Sequence, residues 1–269
     1  MKLSFRCLFL ATFLALPAVH AQDPAYSPAP APASEKPTTG PLKPIKASDV
    51  KKDLPAAVDS KVNETHTLAV MKVTFGGEDR QIVFELFPNE SPVTVQNFTE
   101  NVNKGAYNGM AFHRSVDDYL VQTGDPASKD NNNRDQWGLG EEYTIPGEFK
   151  LPHTIGSVAM ARRSDKVNPN RKSNGTQFYF AVGDMSSLNG QYSVFGKVVV
   201  GMDDLKELSR VATDSNDCPL ERVEIKSIKV VEQKGPVVAM ATSSAKKGKK
   251  GTKPESLKGP FEKFLERVW

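Results

Sequence analysis

The residues of this chain that could do chemistry form neither a nucleophile–base pair nor a metal site. None of the four histidines, His20, His66, His113 and His153, has ligand-like spacing to another histidine or to a cysteine. Gly138-Leu139-Gly140 lacks the strand–helix setting of a phosphate-binding loop, so we interpret these glycines as turn residues. The formal net charge of +3 does not indicate a nucleic-acid-binding protein. We therefore expect no metal, no organic cofactor and no nucleic-acid partner.

What remains is a set of five segments in which polar side chains alternate with aromatic and small ones. They occupy residues 105–114, 119–126, 156–162, 174–180 and 188–198. The first contains Phe112-His113-Arg114, which would be a weak signal if it stood alone. In this order and at this spacing, the five segments closely resemble the cyclophilin family of peptidyl-prolyl cis/trans isomerases. The resemblance covers residues 67–231.

The chemistry that the resemblance implies requires no nucleophile. An X–Pro bond rotates slowly because amide resonance imposes a barrier of ~18–20 kcal/mol. An apolar slot for the proline ring and a fixed donor to the pyramidal nitrogen would stabilise the twisted amide more than the planar one. The resemblance implies that Arg114 is this donor, and that Gln122 binds substrate backbone and helps to orient Arg114.

The resemblance also implies which side chains surround the substrate. Four of them would line the proline slot, namely Tyr119, Leu120, Tyr179 and Leu188. A second set would contact the neighbouring peptide or close the entrance and the rim, namely Ala161, Arg162, Gln177 and Tyr192. By contrast, we expect Phe112, Phe178 and Phe195 to be core residues and His113 to be structural rather than an acid or base. For Arg114 a surface ion pair is the alternative.

Periodicity predicts the elements that would position these residues. Residues 67–75 and 81–87 alternate around Gly76-Gly77, which is typical of a β-hairpin. Ser91-Pro92 then predicts a helix with Ser91 as N-cap, an apolar stripe from Val95 to Val102, and a stop at Gly105.

Further short β-like runs and a second helix follow. The runs are residues 111–116, 119–123, 156–161, 177–182, 193–200 and 222–231, and the helix is 202–208. Many short strands with few helices indicate a mainly β protein, either a closed antiparallel barrel or a sandwich. The resemblance favours a closed eight-stranded antiparallel barrel capped by two helices, with disordered tails at both ends.

The first 21 residues have the pattern of a secretory signal peptide. Lys2 and Arg6 precede a short apolar run over residues 7–16, and small residues lead to Ala21. We therefore expect an exported protein, either periplasmic or extracellular. Cys218 is the single cysteine after residue 21, so we expect no intrachain disulfide in the mature chain.

The regions that flank the domain differ from it in composition. Residues 22–66 are rich in Pro, Ala, Ser and Lys, which predicts a flexible tether before a domain over residues 67–232. Residues 233–269 form a tail with a basic run at 246–250. The tail ends in an amphipathic pattern of five residues: Phe261, Phe264, Leu265, Val268 and Trp269. Such a helix could dock back onto the domain, or residues 246–269 could contact a partner or a membrane surface.

Two hypotheses about function follow. The first is a monomeric isomerase that acts without a cofactor on proline-containing, unfolded or folding exported polypeptides. The second is a cyclophilin-shaped binding or chaperone module with little turnover. Asp117-Asp118 replaces the family's usual Pro-Gly turn, and Tyr119 and Tyr179 stand where Phe is commoner, so the second hypothesis supposes a weakened slot.

Ser187 generates a prediction about inhibition. It stands where cyclosporin-sensitive members of the family carry Trp. Because an indole ring is lost from the expected binding surface, cyclosporin should bind this protein weakly. Inhibition of proline-peptide isomerisation by cyclosporin measures this directly, and nanomolar inhibition would refute the prediction.

Overall fold

A curled antiparallel sheet of eight strands forms most of the structure. The computed structural model describes residues 64–140, 143–235 and 237. The strands are β1 (Thr65–Phe75), β2 (Glu78–Leu86), β3 (Arg114–Val116), β4 (Leu120–Thr123), β5 (Thr144–Ile145), β6 (Ser157–Met160), β7 (Ser173–Asn174), β8 (Phe178–Ala181), β9 (Val194–Val200) and β10 (Glu224–Lys234). The large sheet has the order β10-β1-β2-β9-β6-β8-β4-β3, and β5 pairs separately with β7.

Two α-helices accompany the sheet. They are α1 (Pro92–Asn103) and α2 (Met202–Ser209), and three 3-10 turns cover Pro126–Lys129, Arg134–Gln136 and Ser186–Leu188. The predicted helices and the eight main strands are confirmed to within a few residues at each end. The two-residue strands β5 and β7 and the 3-10 turns were not predicted, since such short pieces carry no periodic signal.

A closed barrel is not shown, because the pairing order is open between β10 and β3. The chain just before β3 does approach the beginning of β10. Gly109 N–H donates to Ile225 O at 2.8 Å, and Phe112 N–H donates to Val223 O at 2.9 Å. This contact amounts to a single isolated bridge, Ala111 to Glu224, so it does not continue the ladder around the sheet.

The concave face of the sheet buries an aromatic core against the helices. Phe84, Phe98, Phe178 and Phe195 make ring contacts with centroids 5.3–6.5 Å apart. Such pairs contribute ~0.5–1.5 kcal/mol each beyond the burial of their area. Phe112, Phe178 and Phe195 are all fully buried, which confirms their prediction as core residues.

Ser91 occupies the predicted N-cap position of α1, but its side chain does not cap the helix. Its Oγ donates instead to Val194 O at 2.8 Å, which ties the start of the helix to β9. The cap comes from the carboxylate of Glu148, far along the chain. It accepts from Val93 N at 3.2 Å and from Thr94 N at 2.9 Å. Such a cap cannot be read from local sequence, because its acceptor lies more than fifty residues away.

The predicted end of α1 is confirmed at Gly105. This glycine has φ +66°, and its N–H donates to Val102 O. Glycine tolerates this left-handed conformation, which directs the chain away from the helix axis.

The sheet extends slightly beyond the predicted domain. β1 begins at Thr65 and β10 ends at Lys234, two residues outside each predicted boundary. The predicted signal peptide, nearly all of the predicted tether, the basic run and the terminal helix lie outside the described residues. Within the described ranges, no helix has both the length and the apolar character needed to span a membrane.

The position of Glu148 predicts an effect on stability. Glu148→Ala should lower the free energy of unfolding by about 1–2 kcal/mol, because two N–H groups of α1 lose their acceptor and the helix dipole loses an anion. Denaturant unfolding measures the loss. The control is Glu100→Ala, which removes an exposed carboxylate bonded to Gln96 on the same helix and should cost no more than ~0.5 kcal/mol. Equal losses in the two variants would contradict the capping role.

Candidate functional site

Four residues on adjacent strands form a row across one face of the sheet. Arg114 on β3 pairs with Gln122 on β4, Gln122 pairs with Tyr179 on β8, and Tyr179 pairs with Ala159 on β6. Residues directly opposite one another in a sheet project to the same side. We call this side the site face. Since strands are about 4.8 Å apart, Arg114 and Tyr179 stand about 10 Å apart across it.

Arg114 is held at the end of this row. The residue is 8% exposed, and its Nε donates to Asp217 Oδ2 at 3.4 Å. Asp217 lies in the loop before β10, and its carbonyl accepts from Ser115 N–H at 2.8 Å. The same loop residue therefore contacts both the backbone of β3 and the guanidinium. The surface ion pair that the sequence left open is present, but it belongs to a mostly buried arginine.

Gln122 of the row is joined to Gln177 in a polar chain. Gln122 Nε2 donates to Gln177 Oε1 at 2.9 Å, and Gln177 Nε2 donates to Gly140 O at 2.6 Å. Both glutamines are buried, at 3% and 1% exposure, so these bonds fix which way each amide points. The two predicted substrate-binding amides are therefore brought together and oriented.

Asp125, which the sequence analysis did not single out, holds the turn that receives Gln177. Its buried carboxylate accepts from Ala127 N at 2.9 Å and from Gly138 N at 2.5 Å. A Cβ at Gly140 would lie 2.4 Å from Asp125 Oδ1, so glycine is required there. Gly138 and Gly140 are thus turn residues, as interpreted from the sequence. Asp125 also caps the 3-10 turn Pro126–Lys129. An Asp directly before a Pro is the sequence signal that could have identified this role.

The predicted proline-slot residues gather in one apolar cluster on the site face. Tyr119, Leu120, Ala161 and Tyr179 are buried members of this cluster, and Leu188 and Tyr192 pack against it half-buried. The remaining members are small or flexible: Val116, Leu151, Ala159, Ala181, Met185 and Val194. All six of the predicted apolar and aromatic residues are therefore brought together beside the Arg114–Gln122 pair.

The hydroxyl of Tyr179 has a partner away from the ring face. It lies 2.8 Å from His153 Nε2, and His153 Nδ1 lies 3.3 Å from Asn189 Oδ1. Burial lowers the pKa of His153, so the ring is neutral near pH 7. Its Nε2 can therefore accept a hydrogen bond from the hydroxyl of Tyr179. Tyr179 therefore presents an aromatic ring to the cluster, much as Phe would. Sequence reasoning missed His153 because nothing in its local pattern marks it.

Arg162, which was predicted to lie at the entrance, is fixed in place by contacts with Tyr192 and Asp165. Its guanidinium stacks 4.5 Å from the centroid of the Tyr192 ring, and Nη1 donates to Asp165 at 2.6 Å. Arg171 donates to the other oxygen of Asp165 at 2.6 Å. Arg171 first, and then Arg162, lowers the pKa of the Asp165 carboxyl. This network connects the loop after β6 to the rim of the cluster.

His113, which precedes Arg114 in the chain, lacks the features of an acid or base. It is 4% exposed, and its pKa is lowered to about 4, chiefly by burial. The charge of Asp125 raises the pKa and that of Arg114 lowers it. The ring is therefore neutral near pH 7. Neither ring nitrogen has a partner at standard hydrogen-bond geometry within the described ranges, although Gln177 lies close enough to raise the pKa of the ring. These properties favour the structural role predicted for it.

The Asp117-Asp118 turn between β3 and β4 is linked to α2. Asp118 has φ +46°, a left-handed conformation that aspartate tolerates better than most side chains. Arg210, at the end of α2, donates to Asp118 at 2.5 Å and to Asp117 at 3.3 Å. The departure from a Pro-Gly turn therefore leaves a short turn between the two strands that carry Arg114 and Gln122.

Comparisons with known proteins agree with this geometry. A family model described as cyclophilin type peptidyl-prolyl cis-trans isomerase/CLD matches residues 70–230. The chain belongs to this family and is a peptidyl-prolyl cis-trans isomerase. Peptidyl-prolyl cis-trans isomerase CYP18-2 of Arabidopsis thaliana is 36% identical over 149 residues, 55% of this chain and 86% of that one. Human peptidyl-prolyl cis-trans isomerase-like 3 is 34% identical over 163 residues, 60% of this chain and 96% of that one.

Solved structures are similar as well. A cyclophilin-type isomerase of Cryptosporidium parvum matches with a TM-score of 0.53 at 26% identity, over 62% of this chain and 98% of that one. The same protein crystallised in the presence of the dipeptide Ala-Pro matches with a TM-score of 0.52 at 27% identity, over 61% and 98%. These relatives favour the isomerase over the binding module with little turnover.

The Tyr179–His153 bond predicts a coupling in stability. Tyr179→Phe should lower the free energy of unfolding by about 1–3 kcal/mol, because a buried imidazole nitrogen loses its partner. His153→Leu should cost a similar amount. The double variant should cost clearly less than the sum of the two, since replacing both partners leaves no unsatisfied group. Denaturant unfolding of all four proteins measures the coupling, and strictly additive losses would show that the bond contributes nothing.

Proposed function

We propose that this isomerase accelerates rotation about X–Pro bonds by donating a hydrogen bond from Arg114 to the prolyl nitrogen. The observation that supports this most is the row across the site face, which places Arg114 and Gln122 opposite each other and beside an apolar cluster. As the bond twists, the nitrogen becomes pyramidal and its lone pair localises. A donor held beside it then stabilises the transition state more than the planar ground state.

The energy required is within reach of one guanidinium. Each tenfold gain in rate needs ~1.4 kcal/mol, and a charge-assisted donor in a water-poor site supplies roughly 2–4 kcal/mol. A guanidinium has five N–H donors in a fixed fork, and the bond from Arg114 Nε to Asp217 uses one of them. The bond thus restricts the rotation of the side chain while other donors of the fork can face substrate.

The apolar cluster would hold the proline ring. In this proposal Tyr119, Leu120, Tyr179 and Leu188 line the slot, and Tyr192 closes its rim. The stacking of Arg162 on Tyr192 supports a rim that is already in place before substrate binds. Because the Tyr179 hydroxyl is engaged by His153, the tyrosine adds no unsatisfied polar group to the slot.

The neighbouring polar residues would bind the peptide on either side of the proline. Gln122 and Gln177 form a bonded pair, and Ala161 and Arg162 follow on the adjacent strand end. A backbone has one donor and one acceptor per residue, which suits amide side chains. The Ala-Pro dipeptide used with the Cryptosporidium parvum cyclophilin supports a proline-containing peptide as the ligand class. We propose unfolded or folding polypeptides as substrates and a monomer as the active form.

The cellular role proposed here comes from the amino-terminal sequence. Residues 1–21 have a positive start, an apolar run and small residues at the expected cleavage positions. We therefore propose that the protein acts in the periplasm or outside the cell, where it assists the folding of exported proteins. Cell fractionation with an antibody to the chain tests this, and a protein found in the cytoplasm with residues 1–21 intact would exclude it.

Arg114→Ala tests the mechanism. We expect kcat/KM for a short Ala-Pro peptide to fall by about 10²–10³-fold, which corresponds to roughly 3–4 kcal/mol. The control is Arg80→Ala, which removes a guanidinium paired with Asp204 and Glu207 on α2. Arg80 lies on β2, five strands from β3 in the sheet order. This variant should leave kcat/KM unchanged. If Arg114→Ala keeps its activity while circular dichroism shows an intact fold, Arg114 is not the donor.

A further inference from the structure

A second apolar face lies on the other side of the sheet from the aromatic core. In β1 and β2 the core takes Ala69, Met71, Ile82 and Phe84, so the intervening residues project outward. Those outward residues include Leu68 and Val70 on β1, Val83 on β2 and its register partner Val200 on β9. We call this set the outer valine face, and it is distinct from the site face.

The outer valine face is buried. Leu68, Val70 and Val83 have 0% exposure, and Val200 has 7%. A sheet face that meets water leaves its apolar side chains partly exposed, because neighbouring strands cover only their flanks. Complete burial of three such residues therefore means that other groups lie over them.

The residues directly after β10 cover part of the outer valine face. Gly235 has φ +90°, and its N–H donates to Glu64 O at 3.0 Å, which closes the β1–β10 pair and turns the chain. Two residues later, Val237 is 2% exposed and packs on the outer valine face. The chain that follows β10 is thus directed over this face.

One valine is too small to cover the whole face. The face extends over β10, β1, β2 and β9, about 14 Å across four strands. His66 on β1 and Gln233 on β10 are partners in register at one end of this face. The buried atoms His66 Nε2 and Gln233 Oε1 have no hydrogen-bond partner within the described ranges.

We propose that the carboxyl-terminal segment of the same chain, residues 261–269, covers the outer valine face. Its apolar residues recur at the spacing of one helical stripe, namely Phe261, Phe264, Leu265, Val268 and Trp269. A helix of this length is about 13 Å long and about 10 Å wide, which matches the face. The apolar run at residues 238–241 would cover the width of only one strand, about 5 Å.

Charged side chains and chain length are both compatible with this placement. Lys72 and Lys229 lie on the same side of the sheet as Val70, since Lys229 pairs with Val70 and Lys72 follows two residues after it. The segment offers Glu262 and Glu266 to these lysines, and its Lys263 and Arg267 balance the two acids. Residues 238–260 join the two parts, and an extended chain of that length spans far more than the face itself. This inference does not depend on the proposed function.

The fluorescence of Trp269 in the full chain tests the proposal. The spectrum of this residue is the difference between the unaltered protein and Trp269→Phe. We expect a blue-shifted emission that acrylamide quenches poorly, at all protein concentrations. Val83→Lys places a charge in the face, so it should shift the emission to the red, increase quenching and lower Tm by about 5 °C or more. Isomerase activity should stay unchanged.

Two further variants keep the result interpretable. Val93→Lys makes the same change at a valine that is 42% exposed on α1, and it should leave the emission of Trp269 unchanged. Leu265→Ser alters only the segment, so it should expose Trp269 even if Val83→Lys fails to fold.

Four outcomes would overturn the proposal. If Trp269 is exposed in the full chain, the segment lies elsewhere. The same follows if neither Val83→Lys nor Leu265→Ser changes the emission of Trp269. Burial that appears only as protein concentration rises would assign the segment to a second copy. Burial that appears only with phosphatidylglycerol vesicles would assign it to a membrane surface.

Discussion

The alternation of side chains along β4 and β8 is the constraint on which the rest of the structure depends. Val121, Phe178 and Phe180 face the aromatic core, so the residues between them must face the other way. Those residues are Leu120, Gln122, Tyr179 and Ala181, which build the site face. A slip of one residue in either strand would exchange core and site, and burying Gln122 among phenylalanines would be prohibitively costly. The stability of the core therefore fixes the register of the site.

The site face combines apolar and polar groups, most of which are buried. Such a mixture is stable because the buried polar side chains find partners: Gln122 bonds to Gln177, Gln177 to the Gly140 carbonyl, and Tyr179 to His153. A buried group left without a partner would cost about 1–3 kcal/mol. The same bonds hold each amide in one orientation. The hydrogen bonds that pair these buried groups are therefore also the ones that orient them.

Long-range contacts hold the parts of the site that loops contribute. Asp217 reaches Arg114 from the loop before β10, and Asp125 fixes the turn at Gly138 and Gly140. Asp165 joins two arginines in the loop after β6. In each case one carboxylate organises a loop that has little apolar surface of its own. The departures from the family pattern at Asp117, Asp118 and Tyr179 are accommodated in the same way, each by a partner on another element.

The sequence by itself determined the eight main strands, the two helices and the core phenylalanines, and it predicted most of the residues that gather on the site face. Those features repeat with the period of a strand or a helix, or stand in segments whose order and spacing are specific to one family. The tertiary structure decided what replaces the Ser91 cap, which ring satisfies the Tyr179 hydroxyl and which acid contacts Arg114. It also showed an open pairing order where the sequence predicted closure. Each of these depends on residues far apart in the chain, and a hydrogen bond between distant residues leaves no periodic trace in the sequence.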